Sequence, residues 1–111
     1  FPSRILNALA ESLLPRGRLG LLIPLPEQSN KLVAKWQRSG VEVVAEALRP
    51  SADEAETRNA AERLAHLTPD LVAMDCMSYT PYSKAIVSAT VGVPTLLAIT
   101  ATGRVIRELL E

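Results

Sequence analysis

Four short apolar runs, each followed by a segment with helical periodicity, constrain this chain more than any other feature. The runs are Leu19-Gly-Leu-Leu-Ile23, Val41-Glu-Val-Val-Ala-Glu-Ala47, Leu71-Val-Ala-Met74 and Pro94-Thr-Leu-Leu-Ala-Ile99. Each is too short for a helix and is bounded by Gly, Pro or Asp, which marks a strand. The intervening segments place apolar residues three and four apart: Ile5, Leu6, Leu9 and Leu13, then Leu32, Val33 and Trp36, then Ala60, Ala61, Leu64 and Leu67. Tyr82, Ala85, Ile86 and Ala89 follow, and finally Val105, Ile106, Leu109 and Leu110. Helix signals flank these stripes. Pro15-Arg-Gly17 stops the first, Leu25-Pro-Glu-Gln28 opens the second and Gly40 ends it. Ser51-Ala-Asp-Glu54 matches a capping box for the third, Thr80-Pro81 opens the fourth and Gly92 closes it. Thr100-Ala-Thr-Gly103 reads as a loop leading to the last.

Strict alternation of helix and strand with short links predicts a parallel sheet with right-handed crossovers, one α/β domain over residues 1–111. The first and third runs are apolar throughout and need cover on both faces. The second sets Glu42 and Glu46 against Val41, Val43, Ala45 and Ala47, the pattern of a half-exposed edge strand. These properties give a four-stranded sheet of order 2-1-3-4. Its topological switch point lies between strands one and three, where ligands bind outside the carboxyl ends of parallel strands. Loops at 24–28, 49–51, 75–80 and 100–103 are expected at that edge, with Pro26 and Glu27 beside Cys76.

Twelve basic residues balance twelve acidic ones without a basic stripe, which argues against nucleic acid as a partner. No apolar run reaches the length of a membrane span and no signal peptide is recognisable, so no membrane partner is expected. A single cysteine cannot form an internal disulfide, and a reducing cytoplasm is the expected setting. His66 has no second His or Cys at a metal-ligand spacing, and Walker, GxGxxG and GxSxG motifs are absent. No metal or cofactor is therefore expected.

The richest stretch for chemistry is Asp70-Leu-Val-Ala-Met-Asp-Cys-Met-Ser-Tyr-Thr80, an apolar strand that ends in a polar cluster holding the only cysteine. Cys76 stands where loop amides and a helix N-terminus favour an anion and lower a thiol pKa. A lone cysteine is also a small buried hydrophobe, and Asp75 opposes thiolate formation by like charge. Ser78, Thr80, Thr100 and Thr102 can hold a carboxylate or phosphate, or Thr80 and Thr100 can simply cap helices. Glu27 and Glu54 read as first-turn helix carboxylates and Trp36 as a packing anchor.

The same stretch, with Gly92-Val-Pro-Thr-Leu-Leu97, Arg104-Val-Ile-Arg-Glu-Leu-Leu110, Gly20-Leu-Leu-Ile-Pro-Leu-Pro-Glu27 and Lys35-Trp-Gln37, resembles the C-terminal half of the AroM family. That family looks like a branch of the aspartate/glutamate/hydantoin racemase superfamily. The resemblance implies two similar α/β lobes with a small-carboxylate site between them. It also implies one cysteine at a strand end of each lobe, the pair moving a proton alpha to the carboxylate without PLP. Cys76 matches the second-lobe cysteine; Ser78, Tyr79, Thr80 and Thr102 would hold the carboxylate, with Pro26 and Glu27 nearby. The opening at Phe1 rather than Met suggests a piece of a longer protein, with an N-terminal lobe missing. Such a lobe alone is expected to be inactive and, with an apolar face uncovered, to self-associate. Racemases read Gly-Cys-Thr-His/Glu where this chain has Asp75-Cys-Met-Ser78, which keeps open a non-catalytic carboxylate-binding module. A single-cysteine decarboxylase or isomerase of the same superfamily is a third possibility.

Overall fold

A computed structural model describes residues 2–110; Phe1, on which the expectation of an upstream segment rests, lies outside them. Helices and strands alternate along the chain: α1 Pro2–Leu13, β1 Gly17–Ile23, α2 Ser29–Trp36, β2 Val41–Ala47, α3 Glu54–His66, β3 Leu71–Met74, α4 Pro81–Val91, β4 Thr95–Leu97 and α5 Ala98–Leu110. A single 3-10 turn, Pro26–Gln28, leads into α2. The strands form one parallel sheet of order β2-β1-β3-β4, as the burial patterns of the sequence require.

The period of two along the strands sorts the core into halves. Leu19, Leu21, Ile23, Leu71 and Ala73 face one way, against Leu6 and Ala10 of α1, Trp36 of α2 and Ala98 of α5. Leu22, Val72, Met74 and Leu97 face the other way, against Ala60, Ala61 and Leu64 of α3 and Val87 of α4. Residues 19–23 and the whole of β3 are buried, whereas Glu42 of edge strand β2 is exposed. Trp36 is fully buried, the packing anchor its spacing suggests.

Several boundaries differ from expectation: β1 begins at Gly17, two residues before its apolar run, and α2 spans only Ser29–Trp36, with 26–28 as a 3-10 turn before it. The cap of α3 is Asp53, whose carboxylate accepts from the Glu56 amide at 2.8 Å. Ser51 instead sits in a turn closed by the Ala52 amide on the Arg49 carbonyl, so 51–54 is not a capping box. The last strand stops at Leu97, because its partner β3 ends at Met74 in register and leaves nothing further to pair with. Residues 98–103 are therefore helix, and the expected 100–103 loop is the start of α5.

At the amino edge, the Arg18 guanidinium donates to the Leu67 carbonyl at 2.6 Å, to Thr68 Oγ1 at 2.7 Å and to Glu42. It closes the C-terminus of α3 where Thr68 takes a left-handed φ of 51°. Above it, Gly20 lets α3 approach the sheet: a Cβ there would lie 3.0 Å from Pro69 Cβ and 3.1 Å from Leu64 Cδ1. Gly20→Val is accordingly expected to destabilise the fold by about 1–3 kcal/mol through overpacking, read as a lower midpoint of urea unfolding. An unchanged midpoint would mean that α3 can lift from the sheet at no cost.

Candidate functional site

Asp75 and Cys76 follow β3 directly and continue its alternation, so they leave the strand toward opposite layers. Asp75 turns to the α2 side, where Trp36 Nε1–H donates to its Oδ2 at 3.0 Å. Its amide donates to the Leu22 carbonyl, tying the β3 loop to the end of β1. Cys76 turns the other way and lies half-buried against the core cluster of Leu22, Leu48, Met74 and Tyr79, with its thiol unbridged.

A turn follows, closed by the Tyr79 amide on the Cys76 carbonyl at 3.2 Å, with Met77 and Ser78 exposed at its corner. Tyr79 then folds back into the core, 2% exposed, and its hydroxyl donates to the Leu48 carbonyl at 2.6 Å. Burial first, then the neighbouring Cys76 and Asp75, push its pKa far above the ordinary tyrosine range. Leu48 directly follows β2 and donates its own amide to the Ile23 carbonyl. One phenol thus braces the β3 loop across the carboxyl ends of β1 and β2.

Thr80 begins α4 with a reciprocal cap: its Oγ1 accepts from the Ser83 amide, and Ser83 Oγ accepts from the Thr80 amide, both at 3.1 Å. Pro81 has no N–H, and the Lys84 amide already bonds the Thr80 carbonyl, so Tyr82 supplies the one remaining first-turn donor. The amides of Cys76, Met77 and Ser78 make no hydrogen bond among the described residues. Those four N–H groups, with the exposed Ser78 and Thr80 hydroxyls, are the anion-binding capacity of this edge.

The structure thus brings together Cys76, Ser78 and Thr80. Tyr79 shares their loop, but its hydroxyl serves the fold. Thr102, in the second turn of α5, is 6% exposed, and its buried hydroxyl has no hydrogen-bond partner among the described residues. Thr100 Oγ1 donates to the Leu97 carbonyl at 3.3 Å. Pro26 and Glu27 are exposed in the 3-10 turn after β1. Pro26 lines a cavity of about 440 Å³ with Pro24, Leu25, Leu48, Arg49 and Arg63.

Arg49 is the residue that the sequence pattern passes over. It stands just past β2, and its guanidinium grips Glu56 through two bonds, one of them Nε to Oε2 at 2.8 Å. That contact holds the Glu56 carboxyl below its ordinary range. The signal lies in its place after a strand end rather than in any motif. No group of three or more His, Cys, Asp or Glu side chains positioned for a metal occurs among the described residues. No helix among them is long and apolar enough to cross a membrane.

A family model described as AroM protein matches residues 1–110. A search of curated proteins finds no match.

Two substitutions separate bracing from binding. Tyr79→Phe leaves the buried Leu48 carbonyl without its donor and is expected to cost about 1–3 kcal/mol in chemical denaturation. A phenol kept neutral in the fold stabilises it fully below the ordinary tyrosine value of about 10, and that contribution is lost as pH rises past it. The native protein should therefore lose stability above about pH 10, and Tyr79→Phe should flatten that loss. Thr102→Val removes a desolvated hydroxyl at nearly constant volume and is expected to stabilise the fold by up to about 1–2 kcal/mol. A clear drop in unfolding midpoint for this variant would show that the hydroxyl has a partner.

Proposed function

This chain belongs to the AroM family, and from that membership we propose that it is one lobe of a protein built like the aspartate/glutamate/hydantoin racemases. Its carboxyl edge would bind a small carboxylate against a second, N-terminal lobe, with Cys76 as the thiol that takes or returns a proton at the alpha carbon. The observation that carries this reading is the placement of a half-buried cysteine in a turn whose three amides, at Cys76, Met77 and Ser78, lack partners. A substrate carboxylate accepting from those amides, from the Tyr82 N–H and from the Ser78 and Thr80 hydroxyls would present its alpha carbon toward the sulfur. As the alpha proton leaves, negative charge builds on the carboxylate oxygens, where fixed N–H dipoles stabilise it most. No cofactor is invoked. Return of the proton on the opposite face requires a second group, which this reading assigns to the other lobe.

The exposed apolar residues support the lobe arrangement. Leu25 is 50% exposed just past β1, and Met77 and Ile99 are each 43% exposed just past β3 and β4. Parallel strands put all three at the carboxyl edge, around the cysteine turn. Large apolar side chains left exposed at one sheet edge suit an interaction site, whether for the second lobe or for another copy of the chain.

A second reading is a carboxylate-binding module without chemistry. It is favoured by the Thr80–Ser83 cap, which takes the α4 donor that an anion would use, and by Met77 and Ser78 in the racemase Thr and His/Glu places. A single-cysteine decarboxylase would use the same turn with one proton transfer, from the thiol to the carbon that loses CO2, whereas an isomerase would have to return any proton it takes.

The test is deuterium exchange at the alpha carbon of a panel of small carboxylates, followed by NMR with the full-length protein in D2O. Cys76→Ala is expected to lower exchange by about 10²–10⁴-fold while leaving carboxylate affinity nearly unchanged. Undiminished exchange in that variant would remove Cys76 from the mechanism. Saturable binding with no exchange in the native protein would establish the module instead.

A further inference from the structure

We propose that a cavity at the open edge of β4 is a second binding site, for a small apolar monocarboxylate, separate from the cysteine turn. It encloses about 310 Å³, near the lower end of the roughly 300–1,000 Å³ typical of small-molecule sites. At ~30 Å³ for each water-sized unit, the volume admits a ligand of about ten non-hydrogen atoms. β4 is an edge strand, so no further strand closes the gap between the helical layers beside it. Leu96 packs into one half of the core and Leu97 into the other, and the cavity runs between them. Its walls are Leu9 of α1, Leu96 and Leu97 of β4, and Ala101 and Val105 of α5. None of the residues 75–80 lines it.

The charge around this apolar space defines the ligand. Lys84 of α4 and Arg104 of α5 both border it, and neither has a carboxylate partner among the described residues. Elsewhere Arg18, Arg49, Arg58 and Arg63 each pair with a glutamate. Glu108 also lines the cavity, so two cations and one carboxylate leave a net charge of +1. That balance suits a single carboxylate and opposes a dianion. The Thr100 hydroxyl, directed at the Leu97 carbonyl, adds one polar group to the lining. An apolar body in the leucine-lined space with its carboxylate between Lys84 and Arg104 satisfies both features, and flexible alkyl acids and flat aryl acids share that chemistry.

The probes are octanoate for the flexible case and benzoate for the flat one, with uncharged benzamide as control, titrated into the protein by calorimetry and amide NMR. At least one acid is expected to bind saturably, with shifts confined to α1, α4, β4 and α5; which one binds better identifies the ligand's shape. Arg104→Gln should weaken binding by about three- to fivefold, the loss of one partly exposed charge contact, and Glu108→Gln should strengthen it by a similar factor. Both residues are exposed, so neither substitution threatens folding. Resonances of residues 75–80 should stay in place throughout the titration, which separates this site from the cysteine turn. Failure of both acids to saturate, equal affinity for benzamide and benzoate, or shifts centred on residues 75–80 would overturn the proposal.

Discussion

Because Leu19, Leu21, Leu22 and Ile23 of β1 and all of β3 have no polar side chain to show to water, both faces of the sheet must be covered. Helices α1, α2 and α5 cover one face and α3 and α4 the other. The chain leaves β1 for the first layer through α2, and leaves β3 for the second through α4. The two departing connections diverge, and the carboxyl ends between them are left without a helix on top. The open edge is therefore a consequence of burying two apolar strands side by side, before any question of chemistry arises.

The same alternation decides what each loop residue can do. Consecutive residues after β3 must point to opposite layers, so Asp75 is delivered to Trp36 while Cys76 is delivered to the layer of α3 and α4. The charge that a sequence reading sets beside the thiol is directed away from it, onto an indole N–H. Tyr79 completes the arrangement by reaching Leu48. With one tie to each side, the turn between them is held open, and the Cys76, Met77 and Ser78 amides stay available. Both ties place hydrogen-bonding groups in largely dry surroundings, where a satisfied bond is worth most and a broken one costs most.

Element order, strand order and the burial of Trp36 were all legible in the sequence, because each follows from the period and completeness of apolar patterns. What was not legible was the destination of individual polar groups. Tyr79 and Thr102 look like binding residues on a line of text, since a hydroxyl near a strand end is compatible with either a ligand or the fold. Only packing directs one to a carbonyl from the end of another strand and buries the other in α5. Asp53 takes the cap of α3 from Ser51 because the Arg49 turn lets the helix begin only at Glu54. The fourth strand is shorter than its apolar run for a related reason: its length is set by where β3 ends, a fact about the partner and not about residues 94–99.

An amide cradle open to water is a weak trap for a carboxylate, since each N–H contact replaces one with solvent and nets only about 0.5–1.5 kcal/mol. The value of the cysteine turn thus depends on what covers it. Leu25, Met77 and Ile99 each expose apolar surface just past a strand at this edge, and burying them would lower the local dielectric near the same amides. On the two-lobe reading, one event would serve both purposes: docking of the second lobe would bury the rim and strengthen the cradle together. On that reading Met77, whose thioether replaces the hydroxyl of the racemase pattern, would add apolar area to the docked rim in place of a donor to the substrate.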